Sequence, residues 1–295
     1  MNSNKRSIFR IGSLSAIALS VLAAVFYAVA YSSDYDIELR HFSRGSVPAV
    51  IVAVLFGIVI AVVSASAILL RKSGTLKENE PNQIESYGLW LTSFIFIAFG
   101  MISIYYNTNT MTQGAVGIGV LASKVIAPLA ILSCIPFILA STNLRGSNWH
   151  QLSTCFPILW GVALLFKYYF DLEDMPLNDP ELALTILAIS SLVVFFISES
   201  RSTFGINSPS VSFFGNCIAV CLGGSISTIR IILSLVTTHT IPSLMENIIF
   251  FIISALALIR LLMLEFKFKA SSEDFDLYSE ESTETITTDS EEADA

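Results

Sequence analysis

Four basic side chains, Lys124, Lys167, Arg230 and Arg260, lie inside long apolar stretches of this 295-residue chain. A cation near the centre of a lipid bilayer costs about 2.5–3.5 kcal/mol on insertion scales. Each therefore needs a counter-charge, a watery cavity or a route to the interface, and depth decides which. Arg260 is close enough to the end of its stretch to snorkel. Lys167 is one turn from Asp171. Arg230 is deeper, and Glu246, which opens the following stretch, is its expected partner across the hairpin. Lys124 has no such neighbour. Pro128 follows it by four residues and removes the amide that would bond the Lys124 carbonyl; Pro136 does the same to Leu132, and Pro157 to Ser153. Kinked helices are expected at all three. A cation beside a freed carbonyl in a broken helix is a feature of solute paths, whereas a lysine snorkelling outward is the commoner arrangement. The sequence leaves both open.

Other chemistries find less support. The eleven residues from Asp171 to Glu181 hold five carboxylates, and with Asn178 they offer hard oxygen ligands. Calcium-loop spacing is absent, so a solvated acidic loop, or a counter-charge for Lys124, Lys167 and Arg230, is expected there. His41, His150 and His239 fall in connections on both sides of the membrane and do not converge. Cys217 and Cys221 share a helix face, but amid Gly215, Gly223, Gly224 and Ser225 they read as packing residues rather than soft-metal ligands. Cys134 and Cys155 also lie within or beside apolar runs, and no disulfide is expected. HExxH, GxSxG, P-loop and GxGxxG motifs are missing. No catalytic role, cofactor or metal is expected.

The elements that position these side chains follow from composition. Only 14% of residues are charged and 54% are hydrophobic, with a mean hydropathy of +0.70, against about a quarter charged in soluble domains. Eight apolar stretches occur, near 11–31, 47–70, 87–106, 115–140, 151–170, 181–198, 211–236 and 247–264. Each approaches the roughly 20 residues that a helix needs to cross about 30 Å of hydrocarbon. Strands with open edges cannot span lipid, and the alternation of a barrel is missing. The fold class is all-α, a polytopic transmembrane bundle of about eight spans over residues 1–268. Lys5, Arg6, Arg10, Arg71, Lys72, Lys77, Arg145, Arg201, Lys267 and Lys269 fall in connections on one side, with Arg40 and Arg44 on the other. The bias predicts cytoplasmic N- and C-termini. The alternative for the first span is a signal peptide cleaved after Ala28-Val29-Ala30, which would leave seven spans in the same orientation.

The net charge of −8 belongs to the end of the chain. Residues 271–295 hold ten acidic and no basic residues; the remainder has 16 basic against 14 acidic. Segment 269–295 is expected to be a disordered, acidic cytoplasmic tail. A solvated tail and a docking segment for a protein partner both fit it, while nucleic acid does not. Odd-numbered outer connections are acidic and follow tyrosine-rich helix ends, while even-numbered ones are uncharged and Thr-rich. That pattern would suit two parallel four-helix halves.

The run Tyr169-Phe170-Asp171 through Met175-Pro176-Leu177-Asn178-Asp179-Pro180, with Glu199-Ser200-Arg201 closing the next span, resembles a family of multi-pass membrane proteins common in Gram-positive anaerobic bacteria. The family has no assigned activity. The resemblance covers mainly spans five and six and implies a bacterial cell membrane. It draws attention to Asp171, Asn178, Pro180, Glu199 and Arg201, although charges at the end of span six need no special role. Two functions are expected from the whole: a transporter-like protein for a small polar or anionic solute, with Lys124, Lys167, Arg230, Glu246, Asp171 and Asn178 as candidate binding residues, or a non-transporting scaffold or sensor. The first requires a polar cavity reaching mid-bilayer and lined by Lys124. The second requires a sealed apolar core with Lys124 pointing outward.

Overall fold

A computed structural model describes residues 3–36, 41–43, 45–71, 83–111, 118–142, 144–170, 180–206, 208–236 and 244–265. The first three spans are single helices, α1 (Ser3–Ser33), α2 (Val47–Leu70) and α3 (Gln83–Met111). The fourth is α4 (Ile118–Leu132) with α5 (Cys134–Ser141), and the fifth is α6 (Asn148–Ser153) with α7 (Cys155–Phe170). The sixth is α8 (Pro180–Thr203). The seventh joins α9 (Pro209–Ile218), a π-helical segment (Ala219–Gly224) and α10 (Ser225–Val236). The eighth is α11 (Leu244–Glu265). All eight contain windows long and apolar enough to cross a membrane. A two-residue antiparallel ladder, Tyr35 with Phe42 and Asp36 with His41, lies in the first connection. The acidic loop with Asp171 and Asn178, the second Thr-rich connection (237–240) and the acidic tail lie outside the described residues, whereas residues 107–111 of the first Thr-rich connection are the helical end of α3.

The apolar surface turned outward is large. On α2 alone, Val50, Val54, Ile58, Ile68 and Leu69 are exposed, and α3 adds Leu91, Phe94 and Met101. Water does not tolerate contiguous apolar surface on this scale; lipid does. Fold and burial together define an integral membrane protein with an eight-helix, all-α bundle.

Breaks occur at two of the three expected places, those of Pro136 and Pro157, whereas Pro128 lies inside the unbroken helix α4. Span four breaks at Ser133, one residue beyond the Leu132 carbonyl that Pro136 frees, and the Ser133 hydroxyl donates to Leu129 O at 2.6 Å. Span five breaks at Thr154, next to the Ser153 carbonyl freed by Pro157. The π-helical segment of span seven has no proline; it ends on Gly223-Gly224, with low helix propensity and room for close neighbours.

Packing divides the bundle in a way that the connections do not foretell. Spans one, two and seven pack on one another, as do spans three, four and five. Among the described residues, neither group makes an extended contact with the other. Spans six and eight lie between and touch both. A Cβ on Gly100 of α3 would sit 2.9 Å from the Ala127 carbonyl of α4, and one on Gly223 would meet Ser254 Oγ of α11 at 2.9 Å and Ser191 Oγ of α8 at 3.1 Å. Small residues let these backbones approach. The expected halves, spans one to four and five to eight, are not the packing units, because side-chain fit rather than loop charge selects neighbours: span four lies on five, and two on seven.

Candidate functional site

The helix ends near Ser3, Leu70, Ser141, Thr203 and Glu265 form one face of the bundle, called here the terminal face. Four charged side chains meet there, three from spans three, six and eight and one from the turn between spans four and five. Arg260 of α11 donates through Nη1 to Glu85 in the first turn of α3, and its Nη2 lies 3.1 Å from Glu199 Oε2 of α8. Arg145, in the turn after α5, places Nη1 3.7 Å from the same Glu85 oxygen. Glu85 is only 6% exposed, so a buried carboxylate is balanced by two guanidinium groups. The expected snorkelling of Arg260 is corrected here. The reach was right, but two carboxylates hold the side chain inside the bundle. His150 is corrected as well: it is buried in α6, with Nδ1 accepting from the Gly146 N–H at 3.1 Å. A second pair on this face, Arg10 with Glu265, ties the first span to the last.

Arg145, His150, Glu199 and Arg260 line a cavity of about 30 Å³ together with Leu89, Phe137, Thr154, Pro157 and Phe196. Below it an aromatic layer closes the bundle. Phe96 packs on Phe137 at 5.7 Å, on Trp160 at 4.9 Å and on Phe196 at 6.4 Å, and Phe250 of α11 meets Trp160 at 6.3 Å. The two Trp160 pairs are edge-to-face while Phe96 and Phe137 stack, both arrangements that ring quadrupoles favour when the rings are offset. Trp160 is 1% exposed, and its Nε1–H has no acceptor among the described residues.

Beyond the aromatic layer, at the opposite face, Lys167 of α7 pairs with Glu246 of α11 at 2.9 Å, and the Tyr168 hydroxyl donates to the other Glu246 oxygen. Cavity, aromatic layer and ion pair form one column between spans three, four, five, six and eight. A second cluster stands outside that column. Arg230 of α10 bonds Glu181 Oε2 at 2.8 Å, Thr185 Oγ1 at 2.6 Å and the Glu181 carbonyl, while the Tyr27 hydroxyl of α1 donates to Glu181 Oε1.

The sequence-derived residues are thus partly brought together. Lys167 and Glu246 meet, but the expected Arg230–Glu246 pair is replaced by Lys167–Glu246 and Arg230–Glu181, because span eight packs against span five at this face. Glu181, last of the carboxylates counted in the acidic loop, is the counter-charge of Arg230. Lys124 is exposed and does not line the cavity, so the expected solute path along Lys124 is corrected: any path through this bundle runs without that side chain. Asp171 and Asn178 lie outside the described residues. Glu85, Arg145, His150, Tyr168 and Trp160 were missed. A buried-type carboxylate opening an apolar span was the available signal for Glu85, and it was equally present at Glu246. Of the cysteines, Cys155 is exposed, and Cys217 and Cys221 are buried with sulfurs 4.0 Å apart. Among the described residues no three His, Cys, Asp or Glu side chains gather to hold a metal ion.

Compared with models of protein families, with characterised proteins and with solved structures, the chain matches none of them.

Proposed function

We propose that this integral membrane protein is transporter-like and passes a small polar or anionic solute along the column between spans three, four, five, six and eight. One observation carries the reading. A cavity lined by Arg145, His150, Glu199 and Arg260, an aromatic seal holding an indole N–H without an acceptor among the described residues, and the Lys167–Glu246–Tyr168 cluster all follow one another on the same five spans. Charged groups inside a membrane bundle are expensive and mark solute or ion routes. In the described state the aromatic layer separates the cavity from the Lys167–Glu246 pair, as one state of an alternating-access cycle requires. Spans six and eight, wedged between two helix triplets, are the elements about which those triplets would rock.

The proposed site is a bacterial cell membrane with the terminal face toward the cytoplasm, supported by the basic residues at that face and by the family resemblance. No enzymatic role is proposed. A tag on the C-terminus is expected to react only after permeabilisation; reactivity in intact cells would reverse the orientation. Reconstituted in liposomes, the protein is expected to accelerate uptake of at least one of lactate, glutamate, inorganic phosphate or chloride. Uptake equal to that of empty liposomes across the panel would defeat the reading. It would select the non-transporting scaffold, which the sealed aromatic layer and the outward Lys124 favour.

A further inference from the structure

The terminal face has two unlike halves. In the half that holds the column, cations and carboxylates are matched: Glu85 and Glu199 both receive Arg260, and Arg145 stands near Glu85. The other half, at the ends of spans one, two, six and seven, is cationic. Arg6 and Arg10 lie near the start of α1, Arg71 caps α2, and Arg201 lies in the last turn of α8. Arg71 and Arg201 are exposed, and Arg6 is half-buried with its Nε unbonded. None of the three meets a carboxylate among the described residues. Arg201 follows Glu199 by two positions, which do not share a side of a helix, so it is turned away from the Arg260 network. Close contacts hold these helix ends together. Gly12 of α1 lies against Ser66 of α2, Ser210 of α9 donates to the Ala67 carbonyl at 2.5 Å, and Phe9 meets Phe213 at 5.2 Å.

We infer that the acidic segment 271–295 docks on this cationic patch of its own chain, its carboxylates on Arg6, Arg71 and Arg201. Charge and tether both favour that occupant. The segment holds ten acidic residues and no basic one. It follows α11, whose last residue, Glu265, is paired with Arg10 inside the patch. Glu273, the first acidic residue of the segment, is eight residues further on. Eight residues reach up to about 27 Å, against 8–10 Å between neighbouring helix axes. A tether of that kind holds the two charges at millimolar effective concentration. Anionic lipid repels the segment and competes with it for the same cations. Phe204 and Ile206, half exposed in the turn after α8, give Phe275 and Leu277 of the segment an apolar contact beside Arg201. The inference is independent of solute transport.

The test uses the full chain in phosphatidylcholine nanodiscs and a glutamyl endopeptidase, with cuts after Glu280, Glu281 and Glu284 followed by mass spectrometry. Cleavage is expected to be slow at about 0.02 M salt and about tenfold faster at about 0.5 M, where charges are screened within a few ångströms. Combining Arg6→Gln, Arg71→Gln and Arg201→Gln should speed low-salt cleavage about tenfold, as three exposed ion pairs predict, and should abolish the salt effect. The corresponding Arg→Lys combination keeps the charge and should keep the protection. Combining Asp274→Asn, Asp276→Asn, Asp289→Asn and Asp294→Asn leaves the bundle and every cleavage site untouched and should also speed cleavage. Equal low-salt rates for the parent and the glutamine variant would overturn the proposal, as would protection that persists at high salt. Loss of protection when phosphatidylglycerol is added would make lipid headgroups the occupant and overturn it equally.

Discussion

At the face opposite the chain ends, Glu181 pairs with Arg230 and accepts from Tyr27, while Glu246 pairs with Lys167 and accepts from Tyr168. Both clusters contain a carboxylate, a cation and a phenol, yet they are held differently. The Arg230 side chain is 11% exposed and distributes its donors over a carboxylate, a hydroxyl and a backbone carbonyl on α8. The Lys167 side chain is 24% exposed, reaches Glu246 at 2.9 Å and lies 5.2 Å from the Tyr168 ring centre. A guanidinium is a rigid fork that fixes several partners at once, whereas an ammonium on a flexible stem can swing to the interface. The first cluster braces spans one, six and seven. The second joins spans five and eight through a cation that is the less firmly held of the two.

Glu181→Gln should break the brace most severely, because it leaves a buried guanidinium without its counter-charge. A loss of about 3–5 kcal/mol is expected, measured by thermal unfolding in detergent. The matching change Glu246→Gln should cost about 1–2 kcal/mol and reduce uptake more than stability, since Lys167 can turn outward. Equal losses from the two would erase the distinction.

Exchanging the cations sharpens the comparison at smaller scale. Arg230→Lys should lose about 1–2 kcal/mol, because one ammonium cannot serve Thr185, the Glu181 carboxylate and the Glu181 carbonyl in the same geometry. Lys167→Arg should stay within about 0.5 kcal/mol at its more open site. Smallest of all, Lys124→Met should leave stability within about 0.5 kcal/mol and uptake unchanged, as befits a side chain outside the bundle. A marked loss of uptake in that variant would return Lys124 to the path.

The breaks in spans four and five were legible because proline acts locally: it deletes one donor four residues from a known carbonyl, whatever surrounds it. The π-helical segment was not. Gly223-Gly224 permits it, but the close approach of Ser191 and Ser254 comes from other spans. The ion pairs show the same divide. Lys167, Arg230 and Glu246 could be recognised singly as buried charges in need of partners, yet which carboxylate reached which cation depended on the order in which helices pack. Arg260 and Glu85 are separated by 175 positions in sequence, and nothing local links them.

Hydropathy and basic-residue bias are sums over a segment, so the chain alone determined that there are eight helices apolar enough to span lipid, roughly where each lies, and which orientation to expect, but not their ends: the first begins at Ser3 rather than near 11, and the third runs to Met111 rather than 106. Neighbour choice is a pairwise matter of shape and charge. In lipid almost every face of a span is apolar, so the usual contrast between a buried stripe and a wetted one is missing. Only the tertiary structure decided that spans six and eight stand between two triplets, and that a charged cavity, an aromatic seal and an ion pair fall into one column.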